Sequence, residues 1–146
     1  MKKKIYNVII IIFASMMLAS CCTEVNQIQS LGGGGDFTVI NMGTNDTLKI
    51  SGGINIGSYP SLTAHNGNVI KIIFEPSQEY SDYVFNTKYT LPNDEVVENQ
   101  PEYEYVIGES LEGLYNIYLS AKSEGSKNLS QWNITAGGAF ILNVVQ

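Results

Sequence analysis

After its first twenty residues the chain has no window of ten or more residues with a 3.6-residue apolar period, so helices are expected to be scarce. What recurs instead is a period of two. Between Asp82 and Thr90, the set Tyr83, Phe85, Thr87 and Tyr89 alternates with Val84, Asn86, Lys88 and Thr90. A period of two sends each set to one face of a pleated strand, and the aromatic set is the one expected to face a core. Lys71 marks the outward face of Val69 to Phe74, which assigns Ile70, Ile72 and Phe74 inward. In Glu102-Tyr103-Glu104-Tyr105-Val106-Ile107 the tyrosines take one face and the glutamates the other.

Between these runs lie turn residues. Phe37 to Ile40 and Thr47 to Ile50 are short β-rich runs, and Gly52-Gly53 leads into Ile54-Asn55-Ile56. Pro60 to Ala64 is expected to be the first strand of the main sandwich, with His65-Asn66-Gly67-Asn68 as the turn into Val69 to Phe74. Leu91-Pro92-Asn93-Asp94 signals another turn, followed by a short edge strand around Glu95 to Glu98. Gly113 to Ala121 and, after a long polar loop, Ala139 to Val145 complete the set. Every proline falls near a strand end, where a missing N–H costs no ladder bond. Many short strands with regular turn signals indicate an all-β sandwich or barrel.

The sandwich is favoured by Gly113-Leu114-Tyr115-Asn116-Ile117-Tyr118-Leu119-Ser120-Ala121. This run resembles the penultimate strand of immunoglobulin-like and PKD-like domains, in which Gly-x-Tyr followed by alternating apolar residues forms a tyrosine corner. The resemblance covers about Pro60 to Gln146 and implies an immunoglobulin-like antiparallel β-sandwich of about 7–9 strands. On that match Tyr115 is the corner tyrosine, its hydroxyl bonding to backbone, with Ile117, Leu119 and Ala121 facing the core. Phe140, Leu142 and Val144 would be the inward set of the last strand. The chain lacks the inter-sheet cysteines and the third-strand tryptophan of antibody domains. Fold similarity of this kind carries no function.

The N-terminal segment has three parts: Lys2-Lys3-Lys4, an apolar run from Val8 to Leu18, and small residues leading to Cys21. That order describes a secretory signal, too short in its apolar run for a spanning helix, which needs about 20 residues. Leu18-Ala19-Ser20-Cys21 resembles the lipobox of bacterial lipoproteins. The resemblance implies cleavage before Cys21, a diacylglycerol on its thiol, and attachment to the cell envelope, expected at the outer membrane. Lipid on Cys22 is the alternative, but it would put Cys21 where a small residue is wanted. The expected organisation is therefore a signal at 1–20, a flexible tether at 21–35 and a sandwich domain at 36–146. Gly32-Gly33-Gly34-Gly35 reads as flexible spacer. A phosphate-cradling loop would need a preceding strand, a following helix and a Gly-Lys-Ser/Thr element, none of which is present.

Without the signal, 5 lysines remain of 8 against 14 acidic side chains, a net charge of −9 with no arginine. Such a balance disfavours nucleic acid and anionic headgroups as partners. Chemistry-bearing groups are few. The single histidine, His65, sits in a turn signal, and zinc would need more Cys and His than the chain supplies. No cofactor is expected. Glu102 and Glu104 share a strand face about 7 Å apart, near the lower end of inverting-glycosidase separations, but alternating glutamates also serve to keep a strand face wet. Glu75, Glu79 and Asp82 could offer oxygens to calcium without the spacing of a dedicated loop. Asp46-Thr47-Leu48 resembles the short acceptor used for O-glycosylation in Bacteroidota-type secreted proteins, with Thr47 as the acceptor.

For function, the expectation is a non-catalytic envelope binding module for glycan or protein. A structural accessory subunit docking through strand edges is the alternative, and a glycoside hydrolase a minor one. The ligand-binding candidates are Trp132 with its neighbours Gln131 and Asn133 in the long loop, and Tyr118 on the outward face of its strand. Aromatic faces pack on sugar C–H groups while flanking amides meet hydroxyls. The competing reading has Trp132 and Ile134 capping the core.

Overall fold

The computed structural model describes residues 29–51, 59–124 and 132–146, with backbone alone at 29–31 and at Trp132. Among the described residues ten strands run in chain order: β1 Gln29–Leu31, β2 Gly35–Asn41, β3 Thr47–Ser51, β4 Ser61–His65, β5 Val69–Pro76, β6 Phe85–Thr90, β7 Val96–Glu98, β8 Glu102–Val106, β9 Gly113–Ser123 and β10 Trp132–Val145. They form an all-β sandwich. One sheet has the order β10-β9-β6-β7, with β1 and β4 following one another along the far side of β10; the other is β3-β2-β5-β8. Counted from β4, the trio β6, β9 and β10 faces the pair β5 and β8, the strand order of an immunoglobulin-like sandwich.

Three expectations change in the tertiary structure. First, the sandwich is not wholly antiparallel. β1 runs parallel to β10 beside Trp132–Ile134, and β4 runs parallel to it beside Ile141–Val145. The chain thus reaches the same edge twice from the same direction. Second, the strand at Ser61–His65 is not the first of the sandwich. β2 pairs with both β3 and β5, and Phe37, Val39 and Ile50 are fully buried, so the early β-rich runs are integral to the smaller sheet. Third, the tether expected over 21–35 ends earlier, because β1 and the buried Gly34 and Gly35 belong to the sandwich. Glycine is used there for close approach rather than flexibility. A Cβ on Gly35 would run into the Glu75 carbonyl oxygen and stand 2.8 Å from the Phe74 ring. The Ile54 to Ile56 run lies outside the described residues.

The alternation read from the sequence holds in the core. Ile70, Ile72 and Phe74 of β5, Ile117, Leu119 and Ala121 of β9, and Phe140, Leu142 and Val144 of β10 all point inward and are buried. Phe37 ties the two sheets together, 5.1 Å from the Phe74 ring and edge-on to Tyr89 at 6.3 Å. Tyr89 is fully buried, and its hydroxyl donates to the Pro101 carbonyl at 3.4 Å. Burial raises the pKa of that hydroxyl. Gly138 of β10 lets the second sheet come close, since a Cβ there would collide with the Ile50 side chain.

The tyrosine corner is present in a local form. Tyr115 Oη donates to the Glu112 carbonyl and accepts from the Glu112 N–H, each at 3.2 Å. Full burial of that hydroxyl would make its loss cost about 1–3 kcal/mol. The ring packs against the core but is only half-buried, so water replaces part of what is lost. Tyr115→Phe should therefore cost about 0.5–1.5 kcal/mol in denaturant melts. Tyr118→Phe, exposed on the other face of the strand, should cost nothing measurable; equal losses at both positions would remove the corner's structural role.

Candidate binding face

Alternation in β9 decides which side chains leave the core: Leu114, Asn116, Tyr118 and Ser120 are turned outward. The registers of neighbouring strands then arrange outward side chains in rows across the sheet. Tyr118 pairs with Ala139 of β10 and Thr90 of β6, and Thr90 pairs with Val96 of β7. On the far side of β10, Ile141 pairs with Ser61 and its N–H donates to the Pro60 carbonyl at 2.8 Å. Tyr59 lies two residues before β4 begins, and the Pro60 bond keeps the chain that carries it at the β10 edge. The first row is Ala139, Tyr118, Thr90 and Val96, with Tyr59 on the chain entering β4 at its β10 end. The next is Ser61, Ile141 and Asn116, and the third is Thr63, Asn143 and Leu114.

Four of the large apolar side chains exposed on the molecule stand in or beside these rows: Leu114 at 73%, Tyr118 at 50%, Val96 at 48% and Tyr59 at 41%. Ala139 is only 3% exposed although it lies outside the core cluster, so larger side chains on this outer face cover it. Asn116 and Asn143 add amides, and Thr90, Ser61 and Thr63 add hydroxyls.

No side chain of the three rows is charged. The ion pair Lys88–Glu98, at 3.2 Å, stands in the next row on one side. Glu112, bonded by Gln146 at 2.9 Å, stands on the other. Asp94 and Glu95 occupy the turn between β6 and β7 at one corner. In a chain this acidic, a neutral face five strands wide is the arrangement most distinct from its surroundings. It offers flat apolar contact and paired donors and acceptors.

The residues expected at a site are only partly brought together. Tyr118 lies in the middle of the face. Trp132 and Asn133 are not in a loop: β10 begins at Trp132, which pairs with Gln29, while Asn133 pairs with Ser30. They stand six or seven residues along β10 from Ala139, roughly 20 Å from Tyr118 at ~3.3 Å per residue. Asn133 and Tyr118 are therefore not neighbours on one surface. Gln131 and the Trp132 side chain lie outside the described residues, as does Cys21. Ile134 is buried. Thr47 is exposed at the first position of β3, with its hydroxyl 3.4 Å from the Asn45 carbonyl. His65 is exposed at the end of β4.

Glu102 and Glu104 lie on the open outer face of the smaller sheet, where the Lys71 ammonium bonds Glu102 and approaches Glu104 to 3.8 Å. The hydrogen bond to Glu102 raises the lysine pKa. This is an exposed ion-paired trio. Among the described residues, no group of three or more His, Cys, Asp and Glu side chains is placed to hold a metal ion, which covers Glu75, Glu79 and Asp82.

Tyr59, Leu114, Asn116, Asn143 and Val96 were not singled out from the sequence. The outward parity of Leu114 and Asn116 was readable from β9 itself, but Asn143 and Val96 join the face only through register, and Tyr59 comes to its edge through the Pro60 bond. Comparison of the chain with protein-family models, curated proteins and solved structures returns no match, so the face is read from its own chemistry.

Proposed function

We propose that the chain is a non-catalytic binding module, held to the bacterial outer membrane by lipid on Cys21, whose neutral outer face engages a glycan or protein of the envelope. The observation that carries the binding reading is the exposure of Tyr118, Val96 and Leu114 in uncharged rows of one sheet, with Tyr59 exposed just before β4. Exposed apolar patches rimmed by polar residues mark interaction sites. The anchor rests on the residues from Lys2 to Cys21.

Docking through strand edges has less support. The edge strands β1, β3, β4, β7 and β8 are three to five residues long, and β8 carries Glu102 and Glu104. Short, charged edges resist pairing with another chain.

Two measurements test the proposal. Cys21→Ala should lose incorporated fatty-acid label and leave the membrane fraction; a labelled, membrane-bound variant places the anchor elsewhere. A photo-reactive amino acid at Leu114 should form adducts in intact cells, whereas one at Thr38, on the opposite outer face, should not. Equal labelling at both positions sinks the assignment of this face.

A further inference from the structure

We infer that the partner of this face is a neutral polysaccharide chain lying across the strands between Tyr59 and Val96. The inference rests on the binding reading above and adds the chemistry of the ligand.

Three observations carry it. The first is ring placement. β4 and β9 lie on either side of β10, two inter-strand spacings or ~9.6 Å apart, with Tyr118 on β9 and Tyr59 on the chain entering β4. That is about the length of a disaccharide, so successive sugar rings of one chain would meet a tyrosine at each end of the step. Pyranose rings present C–H groups on one face, and these pack on an aromatic ring while the hydroxyls remain at the edge. The polarised C–H groups are drawn to the negative face of the ring.

The second observation is the polar set beside the rings. Asn116 and Asn143 each carry a donor and an acceptor, and the Thr90, Ser61 and Thr63 hydroxyls do both with one atom. A sugar hydroxyl also does both. Lysine or carboxylate side chains would instead select a charged ligand, and the three rows contain neither.

The third is charge. With the signal removed the chain has a net charge of −9, and Glu98, Glu112, Asp94 and Glu95 border the face. Anionic polymers approaching it meet repulsion. A second copy of the chain brings the same negative charge to the contact, which opposes self-association through this face. A neutral polymer meets no such barrier.

The test uses the lipid-carrying protein in neutral detergent, titrated calorimetrically with soluble neutral polysaccharides: a β-glucan, an α-glucan, a mannan, an arabinoxylan and a galactan. Polygalacturonate and heparin serve as anionic comparisons. At least one neutral polymer should bind, with an affinity that does not change with salt. Tyr118→Ala and Tyr59→Ala should each weaken it by roughly tenfold, the loss expected of an aromatic hot spot, with melting temperatures unchanged. Tyr80→Ala, in the turn after β5, should bind as the parent does.

Failure of all five neutral polymers, binding of the anionic polymers alone, or binding undiminished in both variants would overturn the inference. If no neutral polymer binds while Leu114 photo-adducts are with protein, the glycan inference falls and the binding reading stands. If neither polymer nor adduct is found, both fall.

Discussion

Phe37→Ala should lower folding stability by about 3–5 kcal/mol, the range for truncating a fully buried aromatic side chain. Phe37 lies in β2, ahead of the region that resembles an immunoglobulin-like domain, yet its ring meets Phe74 of the same sheet and Tyr89 of the opposite one. Removing it takes away contacts on both sides of the sandwich interface. The void left would lie against the Phe74 and Tyr89 rings, and the Tyr89 hydroxyl is held by the Pro101 carbonyl, so collapse is hindered. Small domains have about 5–15 kcal/mol of stability in all, and the variant would lose a large share of it. Urea melts of the variant beside Val84→Ala, an exposed position, would measure the difference. A loss under about 1 kcal/mol at Phe37 would mean that the β2–β3 hairpin is an appendage rather than part of the core.

Asn41→Leu should cost about 2–4 kcal/mol, although the replacement is apolar, buried and close in size. Asn41 is fully buried at the end of β2. Its amide nitrogen donates to the Thr63 carbonyl at 2.9 Å and to Asn68 Oδ1 at 3.2 Å, and its oxygen accepts from the Gly43 N–H at 2.9 Å. Asn68 Oδ1 also accepts from the His65 N–H at 3.0 Å. One side chain therefore fastens the β2–β3 turn to the β4–β5 turn across the end of the sandwich. Leucine leaves those partners unsatisfied, and each such loss costs about 1–3 kcal/mol without full additivity.

Asn41→Asp separates shape from hydrogen bonding. The carboxylate would keep the Gly43 bond but turn an acceptor toward the Thr63 carbonyl and Asn68 Oδ1. Burial and those acceptors favour the protonated acid, so its folded-state pKa would rise above the unfolded value. Between the two pKa values the native state then holds more protons, and stability falls as pH rises through that window. The variant should melt higher at pH 4 than at pH 7 relative to the parent. A pH-independent difference would place the side chain in contact with water.

The sequence by itself determined the class of structure and much of the core, because both depend on nearest neighbours along the chain. Alternation in Asp82 to Thr90, Val69 to Phe74 and Gly113 to Ala121 names the buried set directly, since a strand reverses side at every residue. The tyrosine corner was readable for the same reason, as Tyr115 bonds only three residues back. What lay beyond it were pairings between distant segments. Nothing local states that β1 and β4 share the edge of β10, or that Phe37 packs over Tyr89. The run of four glycines shows the limit clearly. Flexibility is its local reading, but Gly35 is buried because the Glu75 backbone passes too close for a Cβ. The candidate face depends on the same kind of information. Parity alone turns Tyr118 outward, whereas register puts Thr90 and Val96 in line with it and Trp132 some seven residues away. Register is set by how whole strands bury their apolar sides against each other, and only the assembled sandwich contains that.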